Sequence, residues 1–345
     1  MTTRIFCTAL AAATTISATS GTHAQSGSLP PALDHYLSEV VKLTSAQQRD
    51  LVGGAPVTKL LPADESKEVA VFGAIWINAP IQRFVEAMKD IENFERGAAF
   101  RVTKRISTPP ALADFAALRL PDKDLREIPN CRLGDCVIKV SEQGLRRFRD
   151  EVDWRGPDPS AQANQVMRQL SLEYVNAYLA EGNTRLAVYR DNSRPTSVAS
   201  EFREMTDQMP ELTDYLPELR DYLLNFPRVA LLDVTSFLYW QETDFGLRPT
   251  IRISHVTIRE KPNDTVVASK MIYASHYFWT GIELRVLLPD PRRGPGFWLV
   301  TVSRSRSDGL SGFTGWFVRR RARSEVERGV LAGLRITKER MEVRR

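Results

Sequence analysis

The sequence has few of the residues that build metal and thiol chemistry, with three cysteines and four histidines among 345 residues. It contains no Gly-x-Ser-x-Gly segment, no Cys-x-x-Cys pair and no two histidines at i, i+4 spacing. Those patterns mark α/β-hydrolase nucleophiles, dithiol redox sites and helical zinc sites. We therefore expect neither a metal nor another cofactor.

Long apolar runs are also absent beyond residue 25, where the longest covers nine residues from Val69 to Ile77. A membrane-spanning helix needs about 20 such residues. The 47 basic residues barely exceed the 42 acidic ones, so the overall charge does not predict a nucleic-acid partner. A composition of 43% apolar and 26% charged residues is typical of a globular chain.

The first 24 residues have the pattern of a secretory signal peptide. Arg4 supplies a basic start, the stretch from Ile5 to Ala18 is uncharged, and Thr22 and Ala24 are small residues at the −3 and −1 positions of a cleavage site. A disordered tail is the alternative. We expect residues 1–24 to be a signal peptide and the protein to be exported, either periplasmic or secreted.

Two cysteines remain after the signal peptide, Cys131 and Cys136. An even number of thiols in an exported chain predicts one disulfide, and Gly134 with Asp135 suits the tight turn between them. A bridge across so short a loop restrains local geometry more than global stability.

The first part of the mature chain predicts helices and a buried strand. Residues 25–65 form an N-terminal helical segment with one helix over 30–54. A strand rich in β-branched and aromatic residues follows at 69–78, then a helix that begins at Pro80 and a strand near 100–106.

Residues 110–227 predict short helices and turns. The clearest helix covers 159–181, with Asp158 as its N-cap and Gly182 at its C-terminal end. A further helix is predicted over 211–224.

From residue 229 the pattern changes to strands with short turns, which predicts an antiparallel meander followed by a long helix. The predicted strands cover 229–241, 250–259, 265–278, 282–288 and 297–304, and the helix covers 313–342.

This order of elements is that of the helix-grip fold. A first segment runs from Glu68 to Pro80 and ends in Asn-Ala-Pro, and a helix that ends in Asp-x-x-x-Phe follows it up to Phe94. A second segment begins at Gly312 with Gly-Phe-Thr-Gly-Trp-Phe and continues to Lys338. With these segments the chain resembles the START-like (SRPBCC-type) superfamily, which includes polyketide cyclases and plant pathogenesis-related ligand binders.

The resemblance implies an α+β domain over residues 66–345, in which a curved antiparallel sheet surrounds the long C-terminal helix, with a helical insertion at about 110–227. Superfamily members hold sterols, phospholipids or polyaromatic compounds in an apolar cavity between sheet and helix, and only some are enzymes. We expect an exported, monomeric binding protein for a lipid, a sterol-like compound or another hydrophobic small molecule.

Aromatic side chains with polar tips predict the wall of such a cavity. They are concentrated between Lys270 and Trp279 and in the strand over 229–241. Ordinary core packing is the alternative. The full predicted lining is Trp76, Tyr239, Trp240, Tyr273, His276, Tyr277, Trp316, Gly329 and Gly333.

Two other functions stay open at this point. A cyclase- or hydrolase-type enzyme would use the same cavity for acid–base chemistry by His276 with Glu283 or with a tyrosine. A structural envelope protein would instead fill the cavity with its own aromatic side chains.

The two glycines of the C-terminal helix are part of the cavity prediction. Each costs a helix about 1 kcal/mol relative to alanine, so Gly329 and Gly333 are expected to permit close approach of the sheet or of a ligand. An exposed helix end is the alternative.

The same helix is basic, with nine arginines and one lysine against four glutamates from Arg319 to Arg345. Its densest part is Arg319, Arg320, Arg321 and Arg323, for which an anionic membrane surface is the predicted partner, at about 1 kcal/mol per basic residue. A solvated face with Glu–Arg pairs is the alternative.

Overall fold

The computed structural model describes residues 29–97, 99–244, 248–308 and 315–343, with the side chains of the last range described from residue 319. It is an α+β structure, as predicted, with one large curved antiparallel sheet and a long C-terminal helix. The predicted signal peptide lies outside the described residues.

Eight strands form the large sheet, in the order β1-β2-β10-β9-β8-β7-β6-β3, and β4 and β5 form a separate pair. Every neighbouring pair is antiparallel. The strands are β1 Val57–Leu60, β2 Glu68–Ile77, β3 Phe100–Arg105, β4 Val188–Tyr189, β5 Thr196–Ser197, β6 Val234–Asp244, β7 Pro249–Glu260, β8 Thr265–Ala274, β9 Phe278–Pro289 and β10 Phe297–Ser307.

The helices precede, interrupt and follow these strands. They are α1 Pro31–His35, α2 Ser45–Val52, α3 Ile81–Lys89, α4 Ile91–Phe94, α5 Asp122–Glu127, α6 Glu142–Glu151, α7 Pro159–Glu181, α8 Val198–Asp207, α9 Pro217–Asn225 and α10 Gly315–Glu342. None of the helices in the described ranges is long and apolar enough to cross a membrane.

Helix α7 has the ends that its sequence predicts. The Asp158 carboxylate accepts a hydrogen bond from Ala161 N at 2.9 Å, and Gly182 has a φ of +64°. A Cβ atom at Gly182 would lie 1.5 Å from Phe226 O, so this position accepts no side chain. The cap and the glycine define the helix.

The large sheet is covered on both faces. Helices α3, α4 and α10 pack on the face that we call the helix face, whose core includes Ile75, Phe84, Leu299 and Leu334. The N-terminal segment and the inserted helices pack on the opposite face, which we call the insertion face. Because both faces are buried, β2 is buried at every position.

Helix α10 approaches the sheet at a glycine. A Cβ atom at Gly73 of β2 would lie 2.8 Å from Val330 Cγ1 and 3.0 Å from Leu334 Cδ1. Close contact between α10 and β2 therefore requires a residue without a side chain on the strand.

The predicted N-terminal helix over 30–54 is two helices. Helix α1 continues as a π-helical turn over Tyr36–Val40, and the backbone then turns at Lys42, which has a φ of 57°. Thr44 and Gln47 form a reciprocal capping box that begins α2. This Thr-x-x-Gln signal is visible in the sequence, and the prediction of one helix overlooked it.

The predicted strand over 265–278 is also wrong in its second half. Strand β8 ends at Ala274, the chain bends at 275–277, and β9 begins at Phe278. Ser275 holds the bend by donating from its N to Ile251 O at 2.9 Å and accepting from Ile251 N at 3.0 Å. Gly281, which lies between the predicted strands over 265–278 and 282–288, is inside β9, and His276 lies in the bend.

Smaller differences occur at other predicted elements. The strand predicted from residue 229 begins at Val234, and the helix predicted over 211–224 is interrupted before Pro217, where proline begins α9. Strand β1 and the short inserted helices α5, α6 and α8 were not predicted as separate elements.

Candidate functional site

One region of the helix face carries polar and charged side chains between apolar rows. Strand register brings them together, with Tyr239 opposite Ser254, Gln241 opposite Arg252, Ser269 opposite Glu283 and Arg285 opposite Thr301. Residues opposite each other in a sheet project from the same face. We call the following set the polar cluster: Glu95, Thr103, Tyr239, Gln241, Arg252, Ser254, Ser269, Glu283, Arg285 and Thr301.

An ion pair lies at the centre of the polar cluster. Arg285 Nη2 is 2.7 Å from Glu283 Oε1, and the side chains are 11% and 37% exposed. They are two residues apart on β9, so they project from the same face. An ion pair this accessible contributes roughly 0–1 kcal/mol to stability. The fold therefore depends little on this pair, and its charges can interact with another group.

Phe94 at the end of α4 and the following Glu95 complete this side of the polar cluster. The Arg285 guanidinium lies 5.7 Å from the centre of the Phe94 ring, within cation–π distance. Glu95 follows α4, and burial raises the pKa of its carboxyl group above the ordinary value, with Glu283 adding to the rise and Arg285 and Arg252 opposing it. Among the described residues no cation lies within ion-pair distance of Glu95.

Several buried polar atoms of the polar cluster have no hydrogen-bond partner in the described part of the protein. Gln241 is 1% exposed, and its Oε1 accepts from Arg252, but its Nε2 has no partner. The same holds for the hydroxyls of Thr103 and Thr301. Each such group costs about 1–3 kcal/mol when it stays unsatisfied, so this region favours an occupant with polar atoms.

Tyr239, one of the predicted cavity residues, belongs to the polar cluster. Burial raises the pKa of its hydroxyl group, and the nearby Glu95 carboxyl raises it further. The hydroxyl therefore stays protonated at ordinary pH and offers a hydrogen-bond donor. Glu283, which was predicted only in the enzymatic alternative, is the second predicted residue that the structure brings to this region.

Three predicted cavity residues lie on the insertion face, away from α10. Trp76 packs edge-on against Trp298 with ring centres 5.1 Å apart. Trp240 Nε1 donates to Asp114 O, and the Tyr273 hydroxyl donates to Lys139 O, both at 2.9 Å. These residues are core and anchor the insertion, so they do not line a space between sheet and helix. The predicted Trp316 side chain lies outside the described residues.

His276 is buried against the insertion. Its Nε2 lies 2.7 Å from Asp124 Oδ2, and Arg248 Nη1 lies 2.9 Å from the other oxygen of the same carboxylate. No contact in the described chain joins His276 to Glu283, whose ion-pair partner is Arg285. The structure therefore does not form the predicted acid–base pair. Tyr277 lies beside His276 with a φ of 59°.

The two helix glycines do not serve close approach. A Cβ atom at Gly329 or Gly333 would meet nothing within 4 Å, so both positions face open space. The sequence predicted that glycines on the helix permit close approach. In the structure the glycine that permits it is Gly73, on the strand.

The predicted basic patch is divided. Arg320 and Arg321 are exposed on α10, whereas Arg323 forms an ion pair with Glu65. An ion pair within the chain lowers the charge that Arg323 presents to a membrane. Membrane attachment stays a prediction.

The cysteine hairpin lies within the insertion. The Sγ atoms of Cys131 and Cys136 are 2.15 Å apart, at disulfide distance. Gly134 N donates to Arg190 O at 2.8 Å and Cys136 N to Asp191 O at 2.9 Å. The hairpin therefore holds the neighbouring chain segment of the insertion.

A separate cleft of about 440 Å³ opens on the insertion face, between α6, α7 and residues 184–188. Tyr174 and Tyr273 line it, but their hydroxyls already donate to the carbonyls of Ile272 and Lys139. Among the described residues, none of the buried side-chain polar atoms without a hydrogen-bond partner belongs to the lining of this cleft.

A buried lysine on the insertion face was not predicted. Lys270 Nζ donates to Leu223 O at 3.0 Å and to Asn183 Oδ1, and lies 4.4 Å from the Phe202 ring centre. Burial lowers its pKa to about 7. His255 lies opposite Lys270 on the neighbouring strand β7. Its Nδ1 forms a hydrogen bond of 2.9 Å with the Tyr178 hydroxyl, and burial lowers the pKa of His255 to about 3. The side chain of Lys270 is fully enclosed, which argues for a structural position.

The sequence was compared with protein-family models and with curated proteins. No protein-family model matches the chain, and a search of curated protein sequences found no match. Within the described residues no group of three or more His, Cys, Asp or Glu side chains is arranged to hold a metal ion.

Proposed function

We propose that this chain is an exported binding protein of the helix-grip fold that holds an amphipathic small molecule on the helix face of its sheet. The order β2-β10-β9-β8-β7-β6-β3 supports the fold assignment. In the chain, α3 and α4 separate the first two of these strands, β2 and β3, and α10 follows the last strand, β10. This strand order and these helix positions support the helix-grip topology that the sequence resembles.

The observation that carries the proposal is the polar cluster. Its unsatisfied groups, including Gln241 Nε2, lie next to the apolar core under α3 and α10. Ligand sites combine apolar walls with a few convergent polar groups. A wholly apolar ligand would leave these groups without partners, so the ligand class is amphipathic and not purely apolar as the sequence suggested.

The proposal predicts which substitution prevents ligand binding. Ser269 is half-buried in the polar cluster, so Ser269→Phe is expected to cover the polar groups around it and abolish binding of N-phenyl-1-naphthylamine, a neutral dye that fluoresces in apolar sites. Ala177 lines the cleft on the insertion face. The control Ala177→Phe fills that cleft and is expected to leave dye binding unchanged.

The two variants are compared by dye titration after circular dichroism has shown that both are folded. Loss of dye binding in Ala177→Phe with retention in Ser269→Phe would place the ligand in the cleft and contradict the proposal. A wild-type protein that binds no dye would contradict it as well.

A further inference from the structure

We infer that the polar cluster recognises a carboxylate head group, and that Glu283 occupies the position of this group on Arg285 until a ligand displaces it. The inference rests on the proposed function, because it names the ligand class of the same site. It makes Arg285 the specificity-determining residue and Glu283 an internal competitor.

The two side chains differ in a way that suits an exchange. Glu283 is the more exposed partner, at 37% against 11% for Arg285. A carboxylate on the open side can rotate into water, whereas the guanidinium stays in place beside the Phe94 ring. The exchange therefore leaves the arginine positioned and changes only its anionic partner.

Arg285 has capacity for a ligand carboxylate. Within the described ranges Glu283 is the one carboxylate within ion-pair distance of its guanidinium, with Nη2 2.7 Å from Oε1. A guanidinium group matches a carboxylate best with two parallel N–H···O bonds. A free ligand carboxylate can take that geometry, whereas Glu283 is restricted by its position on the same strand.

The surrounding groups favour one added negative charge. Arg252 faces the same region opposite Gln241, and the Gln241 Nε2 group has no acceptor. Glu95 is a further carboxyl group that interacts electrostatically with Arg285 and Arg252, and burial raises its pKa. With Glu283 turned to solvent, the Arg285 guanidinium and the Gln241 amide group can contact the ligand, and Arg252, which donates to Gln241 Oε1, adds a positive charge nearby.

The test compares two competitors that share one alkyl chain. Decanoate and decan-1-ol are titrated separately against the dye bound to the wild-type protein. We expect decanoate to displace the dye at a concentration about tenfold lower than decan-1-ol. Glu283→Gln removes the internal competitor and is expected to strengthen decanoate binding a few-fold, with no change for decan-1-ol.

Arg285→Gln is expected to bring the two competitors to equal potency, each corrected for the affinity of the dye in that variant. Arg149→Gln is the control, because Arg149 is an exposed arginine of α6 paired with Asp150, and it should keep the wild-type preference. Should Arg285→Gln fail to fold, Glu283→Gln decides the matter, and unchanged decanoate affinity in that variant overturns the inference.

The outcomes separate the inference from the proposed function. Dye binding with equal competition by decanoate and decan-1-ol in the wild type overturns the carboxylate inference and leaves the binding function standing. Persistence of the preference in Arg285→Gln overturns it too. Absence of dye binding in the wild type overturns both.

Discussion

On the insertion face of the sheet, buried charges are enclosed by protein, whereas on the helix face the charges of the polar cluster keep contact with solvent. Glu68 lies 2.8 Å from Arg304 and 3.0 Å from Arg306, and all three side chains are nearly inaccessible. Glu283 and Arg285 form a similar pair at 2.7 Å, but Glu283 is about one third exposed.

The difference shows how the same residue types serve two purposes. An enclosed ion pair joins elements, as Arg306 does when it also contacts Glu201 of α8 at 2.8 Å. An accessible ion pair beside unsatisfied donors can exchange a partner. We therefore expect mutations on the insertion face to change stability and mutations in the polar cluster to change binding.

The largest effect is expected at Glu68. Glu68→Gln leaves Arg304 and Arg306 buried without their shared carboxylate, which is expected to lower the free energy of unfolding by about 3–5 kcal/mol. Urea denaturation measures this. Glu325→Gln, in the exposed pair with Arg328, is the control and should cost less than about 1 kcal/mol. A similar small loss in both variants would contradict the enclosed role of Glu68.

The buried Lys270 predicts a stability that depends on pH. Its pKa is about 7 in the folded protein and 10.5 ordinarily, so between these values the unfolded chain binds more protons. Raising the pH therefore favours the folded state, by about 2 kcal/mol between pH 7 and pH 9. Below pH 7 the burial penalty is fully present.

Lys270→Met removes this titration while it keeps most of the side-chain volume. Urea denaturation of the variant at pH 7 and pH 9 should show a difference smaller than that of the wild type by about 2 kcal/mol. Equal pH dependence in both proteins would show that Lys270 is charged in the folded state.

A pair of glycine substitutions sharpens the contrast between strand and helix. Gly73→Ala forces a Cβ atom against Val330 and Leu334 and is expected to cost about 1–3 kcal/mol. Gly329→Ala meets open space and is expected to gain up to about 1 kcal/mol from helix propensity. Thermal unfolding compares the two variants. Destabilisation by Gly329→Ala would instead support the prediction that Gly329 permits close approach of the sheet or of a ligand.

The smallest effect concerns Glu95 and pH. A charged Glu95 repels a ligand carboxylate, and the raised pKa of this residue brings its protonation closer to neutral pH. Decanoate is therefore expected to bind more tightly as the pH is lowered from 8 through the raised pKa of Glu95.

Glu95→Gln should remove that dependence. The other groups that act on Glu95 are Arg252, Arg285, Arg340 and Glu283, and the raised pKa of Tyr239 keeps its hydroxyl neutral throughout. A pH dependence that persists in Glu95→Gln would assign it to another group.

Much of the fold follows from local patterns. The bounds of helix α7 were predicted correctly because Asp158 marks its start and Gly182 marks its end. The break before α2 was missed although Thr44 and Gln47 signal it. The bend at 275–277 was missed because its support, Ser275 bonded to Ile251, comes from another strand.

The candidate site was only partly predictable, because strand pairing creates it. Tyr239 and Glu283 were predicted as separate site residues. Arg252 and Arg285 can be recognised as their neighbours only from the register of strands β6 to β10. Arg285 lies between apolar Leu284 and Val286, and a charge at such a position is the signal that sequence reasoning overlooked.

The misplaced aromatic residues have a related cause. Alternation shows that Trp76, Trp240 and Tyr273 point to one face of their strands, but both faces of this sheet are buried. Sequence alone does not say which of two buried faces meets α10. The insertion, which covers the other face, therefore misled the cavity prediction.

Location of the ligand tests the central claim most directly. A decanoate analogue that carries a diazirine near its carboxyl end is bound to the wild-type protein, irradiated, and mapped by peptide mass spectrometry. The account predicts labels near Phe94 and Glu95 and over residues 281–285 on the helix face. Labels confined to residues 167–188, around the cleft of the insertion face, would contradict it.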